Sequence, residues 1–177
     1  MFNIKKYRIG IEWWGILLFF LIMIPNFIWF AVPAQIDPLR KESVTPMLDG
    51  IAQVFQVIMI IALTVIVNET SIKPMKRSNR LTILLCLMAY YFGWILYYMG
   101  IVNSIIHLDL CIAPCMAFIL FSYARKNVFS LFSACIFMIC HVTFGIVNFI
   151  LTDSRFNDRY LCFNYHVLMF AFVCPFL

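Results

Sequence analysis

The fold class predicted by this sequence is all-α: a polytopic transmembrane helical bundle of about six helices, with both termini cytoplasmic. Three observations predict it. Hydrophobic residues make up 64% of the 177-residue chain and charged residues only 12%, whereas about a quarter of a soluble domain is charged. The apolar residues lie in long blocks, and about 20 such residues span the hydrocarbon core of a bilayer. Lysine and arginine gather at the ends of those blocks. A water-soluble fold is thereby excluded, because so little charge could not cover its surface. The net charge of +5 does not point to nucleic acid, since the cations form no single binding face. The seven cysteines fall mostly inside apolar runs and read as small packing residues.

The first span is expected over residues 11–32. A basic flank precedes it as in a signal peptide, but the run is too long for a cleaved apolar core and reads as an uncleaved helix. Trp13 and Trp14 at one end and Trp29 near the other suit interfacial anchoring. Glu12 follows Arg8 by four residues, the spacing of a surface ion pair on a helix. Pro33, Pro38 and Pro46 break the connector to the second span, 49–68. Asp49 stands at its start, where a capping residue belongs. Lys73, Lys76, Arg77 and Arg80 precede the third span, 81–102. Asn103 and Ser104 leave room only for a short turn before the fourth, 105–124, so these two form a tight antiparallel hairpin. The fifth span covers 128–151 and the sixth 160–177, all within one integral membrane domain over 1–177.

Cation placement orients the bundle. With the N-terminus in the cytoplasm, Lys5, Lys6, Arg8, Lys73, Lys76, Arg77, Arg80, Arg125 and Lys126 lie inside. Arg40, Lys41, Arg155 and Arg159 then lie outside. Nine against four follows the positive-inside rule for a multi-pass protein of the cell membrane.

Polar groups within a bilayer are costly, so each needs a reason. Asp49, Gln53, Gln56, Thr64 and Asn68 follow helical spacing along the second span, with Ile60 the one apolar interruption. Such a stripe is either the wall of a solute or ion pathway or an interhelical hydrogen-bond seam. His107 and Asp109 in the fourth span, His141 in the fifth and His166 in the sixth fall at similar depth and are candidates for the same pathway. Tyr90, Trp94 and Tyr97 share one face of the third span, as an aromatic lining or as packing. Pro25, beside Asn26, and Pro114 interrupt their helices, and such breaks often border binding sites. No metal site is expected, since there is no CxxC or HExxH motif. The nearest approach to one is the row His107, Cys111 and Cys115 at i, i+4, i+8. No nucleotide loop or cofactor motif is present, so no cofactor is expected.

The leading functional reading is a small-solute or ion transport protein, or the membrane substrate-binding subunit of a transporter. The alternatives are a non-catalytic interaction or immunity-type subunit, and a membrane-embedded enzyme using intramembrane His, Asp or Cys. In size and helix number the chain is similar to membrane substrate-binding subunits of vitamin transporters. That resemblance would imply a further membrane subunit as energy-supplying partner. The expected partners are thus the lipid bilayer and another membrane subunit, with no nucleic acid.

Overall fold

The first five apolar runs each form a helix in the computed structural model, which describes residues 6–71 and 74–151. The helices are α1 (Trp13–Ala31), α2 (Pro46–Val65), α3 (Arg77–Tyr98), α4 (Ser104–Ala124) and α5 (Val128–Gly145). All five, with α5 taken on through its wider-turned continuation Ile146–Leu151, are long and apolar enough to cross a membrane. The expected sixth span, 160–177, lies outside the described residues, as do His166, Lys5, Lys73, Arg155 and Arg159.

The second helix begins and ends three residues earlier than its apolar run implies. Pro46 occupies its first turn, where a missing N–H costs nothing. Beyond Val65 the chain extends into a strand, β2 (Ile66–Asn68), which pairs antiparallel with β1 (Tyr7–Ile9), placing Tyr7 opposite Asn68. The pairing continues through Gly10 N to Val65 O and Glu12 N to Thr64 O, each 2.9 Å. These donors satisfy carbonyls at the end of α2 that no helical N–H reaches. Asn127 Nδ2 adds a second donor to Ala62 O, which Ile66 N already reaches, and bonds Ile66 O in β2, both at 2.8 Å.

This extended start corrects the expected pairing of Arg8 with Glu12. Arg8 sits in a strand, so i, i+4 spacing no longer brings the two together. Arg8 instead approaches Glu69 at 3.7 Å, and Glu12 pairs with Arg125 at 3.0 Å. The Glu12 and Arg125 side chains are only 15% and 10% exposed. Arg125 also donates to Ser71 O at 3.1 Å.

Both later hairpins use one device. Helix α3 closes with Gly100 at φ 80, Gly100 N donating to Tyr97 O and Ile101 N to Leu96 O. Helix α4 closes likewise with Lys126 at φ 51, through Lys126 N to Tyr123 O and Asn127 N to Ser122 O. This left-handed closure stops a helix and leaves few carbonyls unpaired. An asparagine then caps the next helix, Asn103 Oδ1 accepting from Ile106 N and Asn127 Oδ1 from Ser130 N.

Helix α4 is the axis of the bundle: 61% of its apolar span is buried, against 22–33% for the others. Small residues let α5 approach it, with Ala117, Ala134, Ser122 and Ser130 all fully enclosed. The outward faces are apolar, as with Leu84, Leu85, Met88, Phe92 and Ile95 along α3.

Helix α1 has two different neighbours along its length. Near its start it lies against α2, where a Cβ on Gly15 would stand 2.6 Å from the Leu63 carbonyl oxygen. Further along it turns to α3. The Tyr91 hydroxyl donates to Leu21 O at 2.7 Å, and Tyr98 to Val32 O at 2.8 Å. The first of these bonds repairs a gap, because Pro25 has no N–H to offer the carbonyl four residues before it. The start of α2 is held instead by Asn148, through Val44 N and Thr45 Oγ1. Helices α1 and α2 therefore part toward the end of the bundle that carries Asp37. Gly15→Val is expected to lower stability by about 1–3 kcal/mol through overpacking, read as the midpoint of reversible unfolding in mixed micelles. An unchanged midpoint would show that the two helices do not touch there.

Candidate functional site

The parting of α1 from α2 leaves a cavity of about 380 Å³ inside the bundle, within the size range of small-molecule sites. Each wall is one face of one helix. From α1 come Phe19, Ile22, Met23, Asn26, Trp29 and Phe30, and from α4 His107, Leu110, Cys111, Pro114 and Phe118. Both sets recur every three or four residues, the period of a single helix face. Tyr90 and Trp94, one turn apart on α3, form a third side. Phe137, His141 and Phe144 on α5, with Phe149 just beyond it, form the fourth, and α2 contributes Gln56 alone.

Polar groups are few and mostly fixed. Asn26 Nδ2 donates to Ile22 O at 3.0 Å and to the Tyr90 hydroxyl at 2.8 Å. The His107 ring places Nδ1 3.0 Å from Asn103 O and stacks on Phe149, with centroids 4.6 Å apart. The wider turns after Gly145 carry Phe149 to that position. His141 stacks between Phe137 and Phe144, at 5.0 Å and 6.2 Å. Trp94 Nε1 is buried beside the Tyr90 hydroxyl. Among the described residues, no Asp, Glu, Lys or Arg lines the cavity.

One end of the cavity is covered by the connector after α1, whose Leu39 faces inward. Asp37 pins that connector. Its carboxylate accepts from the Tyr97 hydroxyl at 2.7 Å, from Trp29 Nε1 at 3.0 Å and from Arg40 Nε at 2.9 Å. Burial pushes the Asp37 carboxyl up, but the Tyr97, Trp29 and Arg40 donors and the Arg40 charge outweigh it and hold it below the ordinary carboxylate value. Arg40 completes the lock: its guanidinium stands 4.7 Å above the Trp29 ring and donates to Trp29 O at 2.6 Å.

The structure thus gathers Gln56, Tyr90, Trp94, His107, Cys111 and His141 at one cavity. Tyr97 shares their helix face but spends its hydroxyl on Asp37. The stripe on α2 divides. Asp49 lies in the first turn, 3.4 Å from Thr45 Oγ1, and Gln53 faces outward. Thr64 donates to Ile60 O on its own helix at 2.7 Å, and Asn68 belongs to β2, donating to Lys126 O at 2.9 Å. Asp109 does not reach the cavity. Its carboxylate occupies the space over Gly93 on α3, because residues two apart on a helix point about 200° apart. The row His107, Cys111 and Cys115 runs along about 12 Å of helix, so the three cannot meet at one ion. Among the described residues no group of His, Cys, Asp or Glu is placed to hold a metal.

Of the α1 wall, only Asn26 beside Pro25 was marked by the sequence, as the break expected to border a site, and Asn26 does line the cavity; Phe19, Ile22, Met23, Trp29 and Phe30 carry no polar signal that spacing could have picked out. Compared with protein-family models, with curated sequences and with solved structures, the chain shows no significant match.

Proposed function

We propose that this chain is a multi-pass protein of the cell membrane, with its N-terminus cytoplasmic, that binds a small solute inside the bundle and carries it across the bilayer. The observation that carries this reading is the cavity of about 380 Å³ walled by four helices and closed at one end by the Asp37 connector. Five long apolar helices with apolar outward faces support the membrane setting. Among the described residues, the basic ends of the helices share the face that carries β1, and Arg40 and Lys41 lie on the other, which supports the orientation. The lining favours a solute over an ion, since among the described residues it includes no Asp, Glu, Lys or Arg.

The test is a thermal-shift screen of small solutes against the protein in lipid nanodiscs, with Ile22→Trp as the filled-cavity control. A ligand at about 100 times its Kd is expected to stabilise the native chain by about 2.7 kcal/mol and to leave the variant unmoved. The same ligand, labelled, then enters proteoliposomes faster than protein-free vesicles. Ligands that stabilise both proteins alike would refute the site. Binding without uptake would reassign the chain as a non-transporting membrane subunit.

A further inference from the structure

We infer that the basic end of the bundle is an interaction surface for anionic lipid, with Lys76, Arg77 and Arg80 at the start of α3 receiving the headgroup. Such a surface requires the membrane setting of the bundle but not a solute in its cavity.

At the end that carries β1, the described residues set seven lysines and arginines against two acids, Glu12 and Glu69. Both acids are already engaged, Glu12 with Arg125 and Glu69 with Arg8. Lys6, Lys76, Arg77, Arg80 and Lys126 are exposed and meet no carboxylate among the described residues. Antiparallel packing brings them to one level. Gly93 lies against Asp109 and Leu110, so with equal rise along both helices Arg77 and Arg80 stand beside the end of α4, from Ser122 to Lys126. Lys126 O accepts from the Tyr7 hydroxyl at 3.0 Å, which carries β1 and Lys6 to the same place. The cations at α3 are not there to stabilise the helix. At a helix N-terminus they oppose the macrodipole, and the first turn of α3 holds no acid to offset them. The apolar surface next to them selects a lipid over a free phosphate. Arg77 and Arg80 begin a helix face that continues through Leu81, Leu84 and Met88 at spacings of three and four residues. These three side chains are at least 50% exposed. An acyl chain laid along that row brings its phosphate to the two guanidiniums, whose forked donors match phosphate oxygens.

The whole chain is held in neutral detergent micelles containing phosphatidylglycerol and phosphatidylcholine of identical acyl chains in equal amounts. Captured protein is extracted and its bound lipid quantified, with protein-free micelles as the baseline. Each cation near an anionic surface strengthens binding about fivefold, so the native protein is expected to favour phosphatidylglycerol by about tenfold or more. That preference is expected to fall steeply as salt rises from about 0.1 M to about 0.5 M. Combining Lys76→Gln, Arg77→Gln and Arg80→Gln brings the two lipids to near-equal retention, whereas Lys41→Gln, at the other end of the bundle, leaves the preference unchanged. Excess inorganic phosphate does not displace the bound lipid. Equal retention of the two lipids by the native protein overturns the inference, as does a preference that the triple variant keeps or that Lys41→Gln removes equally. Displacement by inorganic phosphate overturns the choice of lipid. If the triple variant does not fold, the native protein decides alone: a preference that salt does not lower overturns the inference. None of these outcomes touches the cavity, so the proposed function stands or falls separately.

Discussion

Glu12→Gln and Arg125→Met each lower the stability of the bundle by about 3 kcal/mol or more, and the double variant loses much less than the sum of the two. The pair is 3.0 Å apart with both side chains nearly enclosed. Removing one member of a buried pair leaves the other charge without compensation, at about 3–5 kcal/mol, whereas replacing both with neutral groups is far milder. Their coupling is read from a double-mutant cycle on unfolding midpoints in mixed micelles. A loss below about 1 kcal/mol for Glu12→Gln would mean that the pair behaves as an exposed one.

Asp37→Ala is the second large effect, at about 3 kcal/mol. The substitution removes an acceptor shared by Tyr97, Trp29 and Arg40. Hydrogen bonds to a charged group contribute about 1.5–3 kcal/mol each, and the Tyr97 hydroxyl would be left in a fully buried side chain. The pH dependence has a definite sign. Asp37 titrates below its ordinary value of 3.8 in the folded protein. Its contribution is therefore complete above that value and is lost as the pH falls below it through the folded one. The native protein should lose stability over that acid range by more than Asp37→Ala does, in melts at pH 7 and pH 3. Parallel losses would remove Asp37 from the account.

The five described helices were legible because apolar runs of membrane-spanning length have few other uses. Their ends were less so. Residues 66–68 continue the apolar run, and nothing local shows that they pair with residues 7–9. That one misreading carried Asn68 into the stripe on α2 and Arg8 into a helix with Glu12. The true partner of Glu12, Arg125, is distant in sequence, and no periodicity links them. Within a helix the period shows which residues share a face, and so His107 goes with Cys111 and Tyr90 with Trp94. The same rule separates Asp109 from His107, although both were read as one pathway. The rotation of each helix about its own axis is a different matter, set by close approaches such as Gly15 on Leu63. Gln56 inside and Gln53 outside follow from that rotation and not from spacing alone.

The strand pairing at the start of the chain makes α1 a lever. Residues 7–12 are laced to residues 64–68, and Gly15 rests on the Leu63 carbonyl, so that end of α1 is the fulcrum relative to α2. Phe30 lies about 22 Å further along the axis, and a tilt of about 10° at Gly15 would swing it by about 4 Å. Tyr91 and Tyr98 tie that arm to α3, so such a tilt would load those two bonds and open the seam facing α2.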